Sequence, residues 1–162
     1  MLKRISPLLT PDLLYVLRAM GHGDDIVVVD ANFPAHSQGP RVVRLDAADA
    51  TQTLDAILSV LPLDDFVPEA AWRMEVVDDP DAEHPVFADF REIIGRHEGA
   101  TFKLGKIERF AFYERAAKCF AIVATGERRL YGNIILKKGV VRPEVIDVNF
   151  RARARMKRRD GN

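Results

Sequence analysis

A chain of 162 residues has the length of one ordinary domain and can bury most of its apolar surface in a single core. Its 48% hydrophobic and 30% charged residues exclude a disordered or fibrous chain, and 24 basic residues against 24 acidic ones leave no net charge to draw in a polyanionic partner such as nucleic acid. Apolar runs such as 26–29 and 121–124 fall far short of the ~20 residues that cross a bilayer, and Pro7 and Pro11 break the N-terminal apolar stretch unlike a secretory signal, so no membrane partner and a cytoplasmic location are expected.

Thr10-Pro11-Asp12 has the order of a helix start: a hydroxyl N-cap, a proline whose missing N–H is not needed, and an acid favoured by the helix dipole. Leu13, Leu14, Leu17 and Met20 recur at helical spacing, and Gly21 is expected to end the helix in a left-handed conformation. Ile26-Val27-Val28-Val29 is a β-branched run without polar alternation, which predicts a strand covered on both faces, with Asp30 at its carboxyl end. Residues 31–40, with Asn32, Pro34, His36, Ser37 and Gly39, read as a functional loop. A short strand over 41–45 follows, then a helix whose face carries Leu54, Ile57, Leu58 and Leu61 and which Pro62 ends.

Trp72, Met74 and Val76 alternate with Arg73 and Glu75, predicting a strand. An acidic stretch over 78–83 links it to a helix after Pro85 marked by Val86, Phe87, Phe90, Ile93 and Ile94. From Phe110 a helical turn leads into a strand over 120–124, a break at Thr125-Gly126 and a last strand near 134–136. Together these predict one α/β domain over 1–141, a mixed central sheet with helices packed on it, followed by a basic, mobile tail over 142–162. Cys119, the only cysteine, lies in an apolar stretch and reads as core.

Gly21-His22-Gly23-Asp24 puts an imidazole just past a helix end, between glycines that let the chain turn sharply. Such a group can give and take protons near neutrality, with Asp24, Asp25 or Asp30 as neighbours; the plainer reading is a solvated turn histidine or helix cap. Asp30 fits the habit of α/β sheets to build sites where strands end, although acids there also cap turns. A metal held by His22 and His36 lacks a compact His or Cys spacing to support it. Arg109-Phe110-Ala111-Phe112-Tyr113-Glu114-Arg115 interleaves rings and charges. One short patch in a neutral chain is weak support for a nucleic-acid platform, while an aromatic wall with a guanidinium donor suits a sugar. Tyr131-Gly132-Asn133 adds a phenol and an amide near the start of a strand.

Six segments occur in the order found in one family. Ile5-Ser6-Pro7-Leu8-Leu9, Gly21-His22-Gly23-Asp24, Asp30-Ala31-Asn32-Phe33-Pro34-Ala35-His36-Ser37, Arg109-Phe110-Ala111-Phe112-Tyr113-Glu114-Arg115-Ala116, Phe120-Ala121-Ile122-Val123-Ala124-Thr125-Gly126-Glu127 and Tyr131-Gly132-Asn133-Ile134-Ile135-Leu136-Lys137-Lys138-Gly139 resemble the successive motifs of the L-fucose mutarotase and D-ribose pyranase family. The Phe33-Pro34-Ala35-His36 loop brings the chain nearer the fucose branch. The resemblance implies an isomerase that interconverts the α and β anomers of L-fucose or a related monosaccharide by acid–base ring opening, with no cofactor and no metal. It leaves pyranose–furanose interconversion, or sugar binding without turnover, as alternatives. It further implies that His22 is the proton donor, that Tyr113 or Tyr131 relays a proton, and that Asp30, Asp64, Arg109, Tyr131, Gly132 and Asn133 bind sugar. Its last implication is a ring-type homo-oligomer, an octamer or decamer, with sites at subunit interfaces.

Overall fold

The computed structural model describes residues 2–39 and 41–143, so of the tail expected over 142–162 all but the first two residues lie outside the described residues. In chain order the elements are α1 (Pro11–Ala19), β1 (Asp25–Val29), α2 (Ala35–Gln38), β2 (Val42–Leu45), α3 (Ala50–Leu58), β3 (Ala71–Met74), α4 (Pro85–Glu98), β4 (Leu104–Ile107), α5 (Arg109–Ala116), β5 (Ala121–Thr125) and β6 (Ile134–Lys137). They form one α/β domain around a mixed six-stranded sheet of order β2-β5-β1-β6-β3-β4. β1 pairs parallel with β5, β5 with β2 and β3 with β4, whereas β6 runs antiparallel between β1 and β3. The carboxyl ends of the other five strands therefore share an edge with the start of β6.

Strand periodicity sends alternate side chains to two cores. Ile26 and Val28 of β1 meet the large apolar cluster under α1, α3 and α4, and Val27 and Val29 meet a smaller one with Phe33, Ala35, Phe112 and Ala116. All four are fully buried, as a β-branched run without polar alternation requires. α1 starts as expected, with the Thr10 hydroxyl accepting from the Leu13 amide and Pro11 in the first turn. Its end differs from the expectation: Gly23, not Gly21, has positive φ, and Lys138 Nζ donates to the Leu17 and Met20 carbonyls. A lysine ammonium brought in from the end of β6 satisfies orphan carbonyls that a left-handed glycine would otherwise serve.

Three other readings are corrected. The loop over 31–40 contains the single turn α2. Arg73, placed by alternation on a polar face, is buried: its guanidinium donates to the carbonyls of Met74 (3.1 Å) and Pro80 (3.4 Å) and lies 4.1 Å from the centre of the Phe87 ring. β3 is an inner strand covered on both faces, so its charged residue has to be paired inside. Strand β4 has no counterpart in the sequence reading, because Leu104-Gly105-Lys106-Ile107 shows no clear period. Gly105 faces Trp72 across the ladder, and a Cβ there would stand 2.2 Å from Glu69 Oε2.

Cys119 is buried as expected, 2% exposed, and burial together with the negative charge of Asp25 pushes its thiol up to about 12. Since the thiolate is the reactive form, iodoacetamide at pH 8 leaves the native protein unmodified and alkylates one site after unfolding in guanidinium. Intact mass spectrometry reads this directly, and rapid native labelling would contradict the core assignment.

Candidate functional site

The sheet edge that collects the strand carboxyl ends carries a cleft of about 210 Å³. Asp30, Phe33, Arg109, Tyr113, Tyr131 and Asn133 line it, with Met74 and Val77 at its side. The cleft is smaller than the roughly 300–1,000 Å³ of drug-sized sites and so suits one small ligand.

Asp30 is 6% exposed and doubly tied to Asn133. Its backbone N–H donates to Asn133 Oδ1 (2.9 Å), and Asn133 Nδ2 donates to Asp30 Oδ2 (2.7 Å). The Asn32 amide donates to Asp30 Oδ1 (2.9 Å), an Asx-type turn that starts the loop after β1. Burial raises the Asp30 carboxyl above the ordinary carboxylate range, the hydrogen bonds from Asn32, Asn133 and Phe33 oppose that shift, and the nearby charge of Glu127 adds to it. A carboxyl of this kind can accept a hydrogen bond from a sugar hydroxyl or carry a proton.

Aromatic side chains form the wall. The Phe33 and Tyr113 rings lie 5.3 Å apart, close enough to present C–H-binding faces side by side. Tyr131 has φ of 61°, an uncommon conformation for a bulky residue, and it turns the ring toward the His84 ring at 5.1 Å. The Tyr131 hydroxyl accepts from the Val77 amide (3.1 Å), which leaves its own proton to donate. Arg109 opens α5 beside this wall, its guanidinium 4.6 Å from the Phe110 ring centre. Arg115, from the same charged and aromatic segment, turns inward instead: it bonds Asp25 (2.8 Å) and stacks 3.6 Å over Trp72.

Gly132 does not line the cleft. It lies under the turn, where a Cβ would stand 2.5 Å from Glu127 Cγ. Sequence reasoning misses Glu127 and the Val77 amide. An acid in Gly126-Glu127-Arg128-Arg129 carries the signal of a solvated turn, and a backbone amide carries none.

His22 and Asp64 lie elsewhere. His22 precedes β1 and Asp30 follows it, so the five residues of the strand hold them about 16 Å apart. The carboxylate beside His22 is Asp64, with Nε2 and Oδ1 at 3.1 Å, rather than Asp24, Asp25 or Asp30. Asp64 is buried. Burial alone raises its carboxyl, but the Phe66 amide, His22 and Lys137 outweigh it and hold the group below the usual range. The His22 ring is half exposed and 5.5 Å from the exposed Phe66 ring, an outward-facing pair at the far end of the sheet. His36 sits in α2 at the Asp30 edge, next to Arg44. Hence His22 and His36 of one chain cannot share a metal, and among the described residues no three His, Cys, Asp or Glu side chains converge to hold one.

Known proteins resemble the chain in both sequence and fold. Residues 3–141 match the RbsD / FucU transport protein family. The fucose mutarotase of Homo sapiens is 49% identical over 146 residues, 86% of this chain and 94% of that one. The structure of the fucose mutarotase in complex with L-fucose from Streptococcus pneumoniae superposes with a TM-score of 0.80 at 43% identity, covering 87% of this chain and 100% of that chain. Bacillus subtilis RbsD complexed with D-ribose has a TM-score of 0.67 at 19% identity, covering 88% and 100%, a likeness of fold alone.

Proposed function

The chain belongs to the RbsD / FucU transport protein family, and from that premise we propose that it is an isomerase that interconverts the α and β anomers of L-fucose. The observation that carries this reading is the cleft at the strand ends, where the Asp30–Asn133 pair, a guanidinium and two phenols meet in a space fit for one sugar ring. The 49% identity to a fucose mutarotase, over nearly all of both chains, favours fucose over ribose.

Mutarotation breaks the C1–O5 bond of the hemiacetal. The anomeric hydroxyl loses its proton, the ring oxygen gains one, and an open aldehyde forms; rotation about C1–C2 and reclosure give the other anomer. The C1–O5 bond breaks and re-forms within the sugar and the enzyme has only to move protons, so acids and bases held in position suffice. Arg109 and the Asp30–Asn133 pair bind hydroxyls, the Phe33 and Tyr113 rings pack against C–H groups, and Tyr131 or Tyr113 exchanges the proton at O1. The proton for the ring oxygen comes from His22. Because His22 of the same chain stands at the far end of β1, the reading requires the partner subunit's His22, with the partner subunit's Asp64 orienting it. A ring-type homo-oligomer, an octamer or decamer, supplies that arrangement, and the exposed His22 and Phe66 rings suit an intersubunit contact. Such an enzyme acts on free sugar in the cytoplasm. Among the described residues no helix is long and apolar enough to cross a membrane.

Exchange NMR on the anomeric protons of L-fucose tests the activity. Catalytic amounts of the protein speed exchange between the two anomers well above the buffer rate, and do so less for D-ribose. Binding of L-fucose with no gain in exchange would instead make the chain a sugar-binding module.

A further inference from the structure

The turn that carries Tyr131 and Asn133 rests on a buried acid that makes no contact with the cleft. Glu127 is 3% exposed. Its Oε1 accepts from the Arg129 amide (2.8 Å) and from Arg129 Nε (3.0 Å), and its Oε2 from Arg129 Nη2 (2.8 Å). Arg129 in turn donates to Asp89 of α4 (2.6 Å), which fastens the turn to the helix layer. The Glu127 carbonyl accepts from the Ala31 amide (2.9 Å), just past Asp30, and its amide bonds the Thr125 hydroxyl, which donates to the Val29 carbonyl. Its methylene occupies the space below Gly132, so that only glycine fits there. One residue thus touches the chain neighbours of both members of the Asp30–Asn133 pair, Ala31 on one side and Gly132 on the other.

We propose that Glu127 is a positioning residue for the sugar site: clamped by Arg129 and packed beneath Gly132, it fixes the turn that aims Asn133 at Asp30 and Tyr131 into the cleft. The inference rests on the sugar mutarotase reading above. A buried carboxylate is tolerated only when its oxygens are hydrogen-bonded, and here those bonds go to the backbone and side chain of Arg129 in the turn, with the Ala50 amide at the start of α3 as a further partner. Removing the side chain leaves Gly132 without support and frees Asn133 to swing from Asp30. Substituting glutamine keeps the methylenes under Gly132 and an oxygen for the Arg129 amide.

The test compares wild type, Glu127→Ala and Glu127→Gln in the full-length protein, reading anomer exchange over a range of L-fucose concentrations and hydrogen exchange of the Asp30 amide. Expected is a KM about tenfold higher in Glu127→Ala with a smaller change in kcat, amide exchange at Asp30 about tenfold faster, and recovery of both in Glu127→Gln to within about threefold of wild type. A purely structural acid would reduce the amount of folded enzyme without moving KM. An unchanged KM and an unchanged Asp30 amide in folded Glu127→Ala overturn the proposal, as does a glutamine variant as impaired as alanine. Should Glu127→Ala fail to fold, Arg129→Ala, which removes a side chain that is 40% exposed, tests the same clamp with the same signs. If wild type itself neither exchanges anomers nor binds L-fucose, the sugar reading fails, and the Asp30 amide alone then decides whether Glu127 positions the pair.

Discussion

His22→Ala lowers the enzyme's contribution to L-fucose anomer exchange by about 10²- to 10⁴-fold, the usual contribution of one positioned acid or base. The chain still folds, because the ring is half exposed and packs against a surface phenylalanine, so its loss opens no core cavity. Asp64 keeps the Phe66 amide and the charge of Lys137 as partners. Exchange NMR on protein of matched circular dichroism and oligomer size measures the loss. The opposed placement of His22 and Asp30 adds a sharper result. Asp30→Ala is also expected to be nearly inactive, since it removes the carboxyl that Asn133 holds over the cleft. When His22→Ala and Asp30→Ala subunits are unfolded together and reassembled, about a quarter of the sites in a ring of shared sites receive both groups intact, and activity returns in that proportion. Mixtures as inactive as either parent would mean that the two residues do not meet across an interface. Wild-type exchange by folded His22→Ala would remove the histidine from the mechanism altogether.

Phe87→Ala destabilises the fold by about 3–5 kcal/mol, the range for truncating a fully buried phenylalanine. Phe87 is 0% exposed in the larger core, and its ring also supports the buried Arg73 guanidinium at 4.1 Å. Losing the ring therefore leaves a cavity and withdraws part of the environment that makes a buried charge tolerable. Urea unfolding followed by circular dichroism, at equal protein concentration because assembly adds to apparent stability, shows the midpoint moving to lower urea. The change reaches the site as well. Arg73 holds the Pro80 carbonyl, and the strap it anchors presents the Val77 amide to the Tyr131 hydroxyl. Activity measured well below the unfolding midpoint falls modestly in Phe87→Ala through that path. A midpoint unchanged from wild type would show that Phe87 is not the core residue its burial makes it.

Much of the site is legible in the amino-acid sequence. Asp30, Arg109, Tyr113, Tyr131 and Asn133 do share one cleft, because four of the five sit within a few residues of a strand end at the same sheet edge, where α/β folds place ligands. Glu127 is not legible there, since its burial depends on Gly132 approaching it from five residues away and on Arg129 bridging to α4. Nor is the partner of His22: Asp24, Asp25 and Asp30 are near in sequence, but Asp64, 42 residues on, is the one in contact.

Local order along the chain carries what short-range physics can write. The β-branched run of β1, the Thr10-Pro11 start of α1 and the helical spacing of Phe87, Phe90 and Ile94 each act within a few residues, so periodicity and capping reveal them. How those pieces face one another follows from the assembled sheet. Placing β6 antiparallel between β1 and β3 sets Asn133 against Asp30 across 103 residues and carries Lys138 back to the end of α1. The same strand order makes β3 an inner strand and buries Arg73. Such pairings depend on strand order and register, which no local pattern of side chains encodes.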